Sequence, residues 1–258
     1  MEKHKDDIAL AVSILAFALS LFATVLGELR ADDDKQRTVR SQLTEVLRGL
    51  MSVQMEHAKL MHESKDDAMY QTTGSAALGQ QNGFLLDQAF YLADQVPHLV
   101  TTYEYNTMAV AGANAGNVLA AEKYYRKAVE VAYSPLYRSQ AIRAYAMFLF
   151  AQHRFMEARE QFALALRQPL GRDNLSRQND AVTYQSWAWN EQHLARSEQR
   201  ARELYRKASD EISGIDVEFL RSAMQQRLNW LQENRSWAPA FPILNSDAAT
   251  PAISSAPR

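Results

Sequence analysis

The chain lacks cysteine and is poor in the residues that break helices. Its 258 residues include no Cys, nine Gly and seven Pro. Without Cys there is no disulfide, no thiolate nucleophile and no Cys-ligated zinc site. Pro97, Pro135 and Pro169 fall between segments with helical apolar periodicity, and the other four prolines follow Trp237. Because a helix interior tolerates Pro poorly, this placement predicts an all-helical body.

An excess of charge of either sign is also missing. The chain has 28 Lys and Arg against 30 Asp and Glu, a formal net charge of −2. Phosphate backbones are bound by clustered positive charge, so no nucleic-acid partner is indicated. We find no Gly-rich phosphate loop and no nucleophile elbow, and His57 and His62 do not have the spacing of a helical metal site. We therefore expect a protein that is not an enzyme and has no cofactor and no metal.

One long hydrophobic run stands out against this background. Ile8–Gly27 reads IALAVSILAFALSLFATVLG and contains no charge and no Pro. About twenty apolar residues in a helix span roughly 30 Å, the thickness of the hydrocarbon core of a bilayer. We predict a single-pass membrane anchor that contacts the lipid bilayer through residues 8–27. A cleaved signal peptide and a buried core helix are the alternatives, although the run is longer than a usual signal core and no A-x-A follows it.

The orientation of the anchor is predicted from the Lys and Arg residues on its two sides. The side before it carries two of them, Lys3 and Lys5, and the side after it carries four, Arg30, Lys35, Arg37 and Arg40. Positive residues near an anchor favour the cytoplasmic side, so the C-terminal domain is expected in the cytoplasm. The margin is small, and the opposite orientation stays open.

Residues 31–100 are predicted to form membrane-proximal helices that pack onto the rest of the chain. Apolar residues recur there in steps of four and three, which is a heptad seam: Val39, Leu43, Val46, Leu50, Val53, His57 and Leu60. The seam serves either packing within one chain or association of two copies. We predict a loop at Gln71–Ser75 and a helix break at Asn82–Gly83, because polar clusters with Gly interrupt helices.

The middle of the chain contains a weak internal repeat. A small residue is followed by an aromatic residue four positions later and another small residue three positions after that, as in Ala121-x3-Tyr125-x2-Ala128, Ala158-x3-Phe162-x2-Ala165 and Ala201-x3-Tyr205-x2-Ala208. Small residues let two helices approach closely, and the aromatic side chain fills the gap to the next pair. The segment before each motif has a large residue followed by Ala, namely Met108-Ala109, Tyr145-Ala146 and Trp187-Ala188.

This pattern resembles the tetratricopeptide-repeat family over Thr102–Ser213. Gly112 and Glu191 depart from it, since the family has an aromatic residue there. The motifs are about 37 and 43 residues apart rather than 34, which we attribute to inserted loops at Ser134–Tyr137 and Gly171–Asn179. The resemblance implies stacked antiparallel helix pairs whose first helices line a groove. An unrelated bundle of helical hairpins is the alternative.

These observations predict an all-α fold with four parts. Residues 1–30 form the transmembrane anchor, 31–100 the membrane-proximal helices, 101–234 the TPR-like repeat domain, and 235–258 a disordered tail rich in Pro, Ala and Ser. Within the third part, Asp216–Asn234 is predicted to be a capping helix that covers the last apolar face. Whether Trp237, Phe241 and Leu244 of the tail dock on the body or on a partner stays open.

The resemblance implies a membrane-anchored scaffold or adaptor whose groove binds a peptide or partner helix of unknown identity. By its register the groove is lined by Asn106, Val110, Arg143, Met147, Gln185 and Trp189. Arg143 would meet a carboxylate, while Met147 and Trp189 would meet apolar side chains. Alternatively, these residues pack against one another. Two other functions remain open: an oligomerising membrane effector or sensor built on the anchor and the heptad helices, and an exported soluble protein with a cleaved signal peptide.

Overall fold

Helices are the only regular secondary structure in the described part of the chain, which confirms the all-α class. The computed structural model describes residues 34–61 and 67–233, and in these ranges it has nine α-helices and no strand. In chain order the helices are α1 (34–61), α2 (Ala68–Gln95), α3 (Thr102–Asn114), α4 (Val118–Glu130), α5 (Pro135–Ala151), α6 (Phe155–Leu166), α7 (Asn174–His193), α8 (Glu198–Ser213) and α9 (Glu218–Glu233).

None of the described helices has both the length and the apolar character needed to cross a membrane. The predicted anchor Ile8–Gly27 and the predicted tail both lie outside the described residues. The predicted closing helix is present as α9.

Helices α1 and α2 form a long antiparallel hairpin. Gln36 at the start of α1 lies 3.2 Å (Oε1 to Nε2) from His98, just after α2. Near the far end of α1, Leu60 packs against Gly74, close to the start of α2. The heptad seam is buried in this hairpin at Val39, Leu43, Leu50 and Val53, and so packs within the chain.

The loop predicted at Gln71–Ser75 and the break predicted at Asn82–Gly83 are both wrong, because α2 is continuous through them. A Cβ added at Gly74 would lie 2.7 Å from Leu60 Cδ2, so this glycine allows two helices to approach closely. Gly83 has open space around it. The helix begins instead at Asp67, whose side chain accepts a hydrogen bond from the backbone N–H of Tyr70.

The next six helices form three hairpins, α3/α4, α5/α6 and α7/α8. The helices of each pair pack along each other and are joined by turns of only three or four residues, so they are antiparallel. Each turn contains one residue with a left-handed backbone: Gly116 (φ 76°), His153 (φ 58°) and Arg196 (φ 53°). The chain therefore reverses direction in all three hairpins through a residue with positive φ, and only in the first hairpin is this residue glycine.

The hairpins stack in chain order. The first helix of each later hairpin contacts both helices of the hairpin before it, and α9 packs on α7 and α8 in the same way. The inserted loops predicted at Ser134–Tyr137 and Gly171–Asn179 are largely helical, which corrects that prediction. Ser134 caps α5, which begins at Pro135, and Asp173 caps α7, which begins at Asn174. The extra residues thus lengthen the first helices to 17 and 20 residues, against 13 in α3.

Gly112, a departure from the family pattern, lies where α3 and α4 approach most closely. A Cβ there would be 3.4 Å from the backbone nitrogen of Ala121 and 3.6 Å from its Cα. A methyl group at this position would therefore be in van der Waals contact with α4.

Aromatic side chains connect successive hairpins in the core. The ring of Tyr125 stacks on Tyr145 with 6.2 Å between centroids, and Phe162 stacks on Trp187 at 5.5 Å with the planes 7° apart. One cluster of buried residues extends from α1 to α6 and a second from α7 to α9. Trp187 packs against both clusters and thereby joins them.

Candidate interaction face

Residues at matching positions of α3 and α5 form one surface. Tyr103, Asn106 and Val110 have the same spacing, three and then four residues, as Gln140, Arg143 and Met147, so each set lies on one side of its helix. The Tyr103 hydroxyl donates to Gln140 Oε1 at 3.1 Å, which places the two sets side by side. We call these six residues the inner face. It contains four of the six predicted groove residues, all half-buried: Asn106, Val110, Arg143 and Met147.

Arg143 is held in place by α7. Its Nη1 donates to Asn179 Oδ1 at 3.1 Å, to the Asn179 carbonyl at 3.3 Å and to Thr183 Oγ1 at 3.0 Å. Asn179 Nδ2 in turn donates to Ser139 Oγ at 2.9 Å. The guanidinium is therefore oriented by a polar network that joins α5 to α7.

The rest of the Arg143 guanidinium has capacity for further hydrogen bonds. Among the described residues, Nε and Nη2 have no hydrogen-bond acceptor. Burial lowers the pKa of Arg143 to about 10, and the like charge of Arg227 on α9 adds to this, while Asp180 opposes it. Arg143 stays protonated at neutral pH, so the inner face presents a positive charge with free donors.

The other two predicted groove residues, Gln185 and Trp189, are buried rather than on the inner face, and Trp189 belongs to the second core cluster. Gln185 is fully buried, and neither atom of its amide has a hydrogen-bond partner among the described residues. Trp189 is 5% exposed and stacks on His193 at 4.5 Å. In this structure both side chains pack within the chain.

Two ion-pair networks between hairpins were not predicted. In the first, Glu122 of α4 accepts from Arg154 Nη1 at 2.6 Å, from Arg126 Nη2 at 2.7 Å and from the Tyr145 hydroxyl at 2.7 Å. The hydrogen bond from Arg154 is the main cause that lowers the pKa of Glu122 to about 2, while burial opposes it. Burial and the neighbouring Glu122 raise the pKa of Tyr145 to about 12.

The second network surrounds Glu191, whose side chain is fully buried in α7. Arg159 of α6 donates to it with two nitrogens, at 2.8 and 2.9 Å, and Trp187 Nε1 donates at 3.0 Å. Burial opposes ionisation, but these hydrogen bonds and the nearby Arg200 leave the pKa of Glu191 lowered. The sequence offered one signal for this network, a carboxylate where the repeat pattern has an aromatic residue.

The two networks use the same repeat position with opposite charge. Glu122 directly follows Ala121, and Arg159 directly follows Ala158, the first small residues of their motifs. Each reaches forward to the next hairpin, where Glu122 meets Arg154 and Arg159 meets Glu191. The equivalent residue of the third motif is Arg202.

Within residues 34–61 and 67–233, no group of three or more His, Asp or Glu side chains is arranged to hold a metal ion. Searches of protein-family models, of curated proteins and of solved structures find no match to this chain. The tetratricopeptide-repeat resemblance therefore rests on the residues quoted above and stays a prediction.

Proposed function

We propose that the chain is a membrane-anchored interaction module, not an enzyme, whose inner face binds an extended peptide or a helix of a protein partner. The proposal is supported by three stacked hairpins, as in a TPR-like domain, with the first helices of two of them side by side. The anchoring part rests on the apolar run Ile8–Gly27. The cytoplasmic placement of the domain rests on the Lys and Arg residues that follow this run.

The binding proposal rests mainly on the guanidinium of Arg143. It is held in a fixed orientation, and two of its three nitrogens have no hydrogen-bond acceptor among the described residues. Its orientation is set before a partner arrives, which reduces the ordering cost of binding. A carboxylate or backbone carbonyl of the partner would accept from Nε and Nη2. Arg227, whose charge contributes to the lowered pKa of Arg143, adds positive charge near it. Val110 and Met147 offer apolar contact beside them.

Site-specific photo-crosslinking in native membranes tests the binding face. In one variant of the full chain, the photoreactive residue p-benzoylphenylalanine replaces Tyr103, which is 57% exposed on the inner face. In the matched control it replaces Tyr91, which is 70% exposed on α2. We expect a defined protein adduct from position 103 only.

A charge reversal shows whether this adduct depends on the proposed chemistry. Arg227→Glu should remove most of the adduct, because an acidic partner segment would be repelled. Arg206→Glu, at an exposed position of α8, should leave it unchanged. Equal adducts at positions 103 and 91, or no response to Arg227→Glu, would contradict the proposal.

The membrane part is tested separately by extraction and proteolysis. The full chain should resist alkaline extraction from membranes, and a variant lacking residues 8–27 should be released. In intact cells the body should be protected from external protease and retain its full-length N-terminus. An accessible body would reverse the proposed orientation, and loss of the first 27 residues would identify a cleaved signal peptide.

A second candidate function, oligomerisation, is favoured by the far end of the α1/α2 hairpin. We call residues 54–61 and 68–81 the arm. None of its described side chains is buried, and it exposes Met55, Met69 and Tyr70. Residues 68–86 also carry no charge. A helix with exposed apolar residues and no charge is suited to packing against another helix.

Sedimentation of the detergent-solubilised chain decides whether the arm associates. If it does, Met55→Glu and Met69→Glu should weaken self-association, because a charge is costly in an apolar helix contact. Met156→Glu, at a position 68% exposed on α6, is the matched control. A monomer at all concentrations removes this candidate.

A further inference from the structure

The third hairpin lacks a contact that the first two make. In those hairpins the aromatic residue of the motif stacks on an aromatic residue of the next helix, Tyr125 on Tyr145 and Phe162 on Trp187. Tyr205 holds this position in the third motif and has no aromatic ring partner among the described residues. The next helix, α9, instead buries aliphatic side chains: Met224, Leu228 and Leu231.

The charged position of the third motif differs in the same way. Glu122 and Arg159 form ion pairs with the next hairpin. Arg202 forms no ion pair with any residue that the structure describes. Tyr205 is packed in the second core cluster, but neither the aromatic stacking nor the ion pair of the earlier hairpins is repeated among the described residues at the end of the array.

A cleft lies at this place. Its volume is about 210 Å³, and it is lined by Gln192, Glu198, Ala201, Arg202, Tyr205 and Gln232. A cavity needs a volume of only about 10–15 Å³ to hold one water molecule, so this cleft is large enough for a whole side chain. The cleft combines an aromatic ring and a methyl group with a rim of amide, carboxylate and guanidinium groups. Such a lining suits a side chain with an apolar body and one polar hydrogen.

The chain itself carries a side chain of this kind close by. Gln232, which lines the cleft, lies one residue before the end of α9. The sequence continues Asn-Arg-Ser-Trp, so Trp237 is five residues beyond Gln232. Five residues extend over at most about 16–18 Å, enough to turn back from the end of α9 to the cleft.

We propose that this cleft binds the indole of Trp237 from the same chain, so that the C-terminal segment completes the array. The indole takes the place beside Tyr205 that Tyr145 and Trp187 take beside the earlier aromatics. The guanidinium of Arg202, which lines the cleft, lies against its face. The indole N–H donates to an oxygen of the rim. This inference is independent of the proposed function.

Disulfide trapping tests the proposal. Because the chain has no Cys, two introduced cysteines are the only ones that can form a disulfide within it. The full chain in detergent carries Gln192→Cys in the cleft together with Ser236→Cys beside Trp237. The matched control carries Glu203→Cys with the same Ser236→Cys. Glu203 is exposed on α8, and its equivalent in the first motif, Lys123, faces the preceding helix α2 through Asp94. Because docking raises the local concentration of one thiol near the other, we expect the 192–236 bond to form about tenfold faster than the 203–236 bond.

Further variants identify the indole as the group that docks. Adding Trp237→Ala should slow the 192–236 bond to the control rate, and Trp237→Phe should retain part of the advantage because it keeps a ring. Circular dichroism verifies that every variant is folded. Equal rates for the two Cys pairs, or no effect of Trp237→Ala, would overturn the proposal. Bonds that form only between two chains would also overturn it, because the cleft would then bind another copy.

Discussion

At the scale of single residues, we expect the stability of the chain to depend sharply on Glu191. It is fully buried, and Arg159 donates two hydrogen bonds to it. Glu191→Gln should destabilise the chain by about 3 kcal/mol, the lower end of the range for breaking a buried pair, because Arg159 retains access to water. Urea denaturation followed by circular dichroism measures this change.

Two further variants show that the effect comes from the pair. Adding Arg159→Gln to Glu191→Gln should cost less than the sum of the single substitutions, because the two residues act as a unit. Glu203→Gln interrupts an exposed pair with Lys207 and should change stability by less than about 0.5 kcal/mol. Strict additivity at positions 159 and 191 would show that they act independently.

Glu122 should control part of the acid sensitivity. Its pKa is lowered from 4.5 to about 2 in the folded chain, chiefly by the hydrogen bond from Arg154. Its stabilising contribution is therefore fully present above about pH 4.5 and is lost as the pH falls towards 2. Comparison of acid unfolding curves measures this, and Glu122→Gln should give a flatter curve in that window. Parallel curves for the two proteins would assign the acid sensitivity to other carboxylates.

The partners in the two networks could not be predicted from the sequence, although Glu191 departs from the repeat pattern. Glu122 and Arg154 are 32 residues apart, as are Arg159 and Glu191. Neighbours in sequence reveal pairs on one helix face, but pairs between hairpins depend on how the hairpins stack. Gln185 and Trp189 illustrate the same limit, because the register assigned them to the groove while packing with α8 and α9 buried them.

At the scale of helices, the periodicity of the sequence predicted where helices lie, whereas glycine residues led to incorrect predictions of turns. The spacing of Ala and aromatic residues located the segments of α3 to α8, since close helix packing imposes this spacing directly. Gly74 within a polar cluster predicts a turn, whereas in the structure this glycine permits the contact with Leu60. The residues assigned to inserted loops extend α5 and α7, because Ser134 and Asp173 cap those helices earlier than expected.

The turns of the hairpins provide a test at this scale. Arg196 is exposed and has φ 53°, a left-handed conformation that costs a side-chain-bearing residue energy. Arg196→Gly should stabilise the chain by about 0.5–1 kcal/mol, the relief of strain exceeding the added entropy of the unfolded chain. Thermal unfolding measures this. Arg206→Gly, in the interior of α8, is the matched control and should destabilise by about 1 kcal/mol. Destabilisation by both would mean that the Arg196 backbone is unstrained.

At the scale of the whole molecule, stability should be unevenly distributed. None of the described side chains of the arm is buried, whereas α4 and α5 bury most of one face. Backbone amides in residues 54–61 and 68–81 should therefore exchange with solvent much faster than those of α4 and α5. Hydrogen exchange read by mass spectrometry measures this difference. Slow exchange in the arm that disappears on dilution would instead indicate that a second copy covers it.

The reversed charges of the two networks have a consequence for how such a chain can change over time. An array of interchangeable units could gain or lose a unit without harm. Here the first hairpin presents a negative charge, Glu122, to the hairpin that follows it, whereas the second presents a positive charge, Arg159. Removal of the second hairpin would bring Glu122 against the buried Glu191, two like charges in a place with little water. Each unit accepts only its own neighbour, so the order of the hairpins is enforced by charge as well as by the covalent chain.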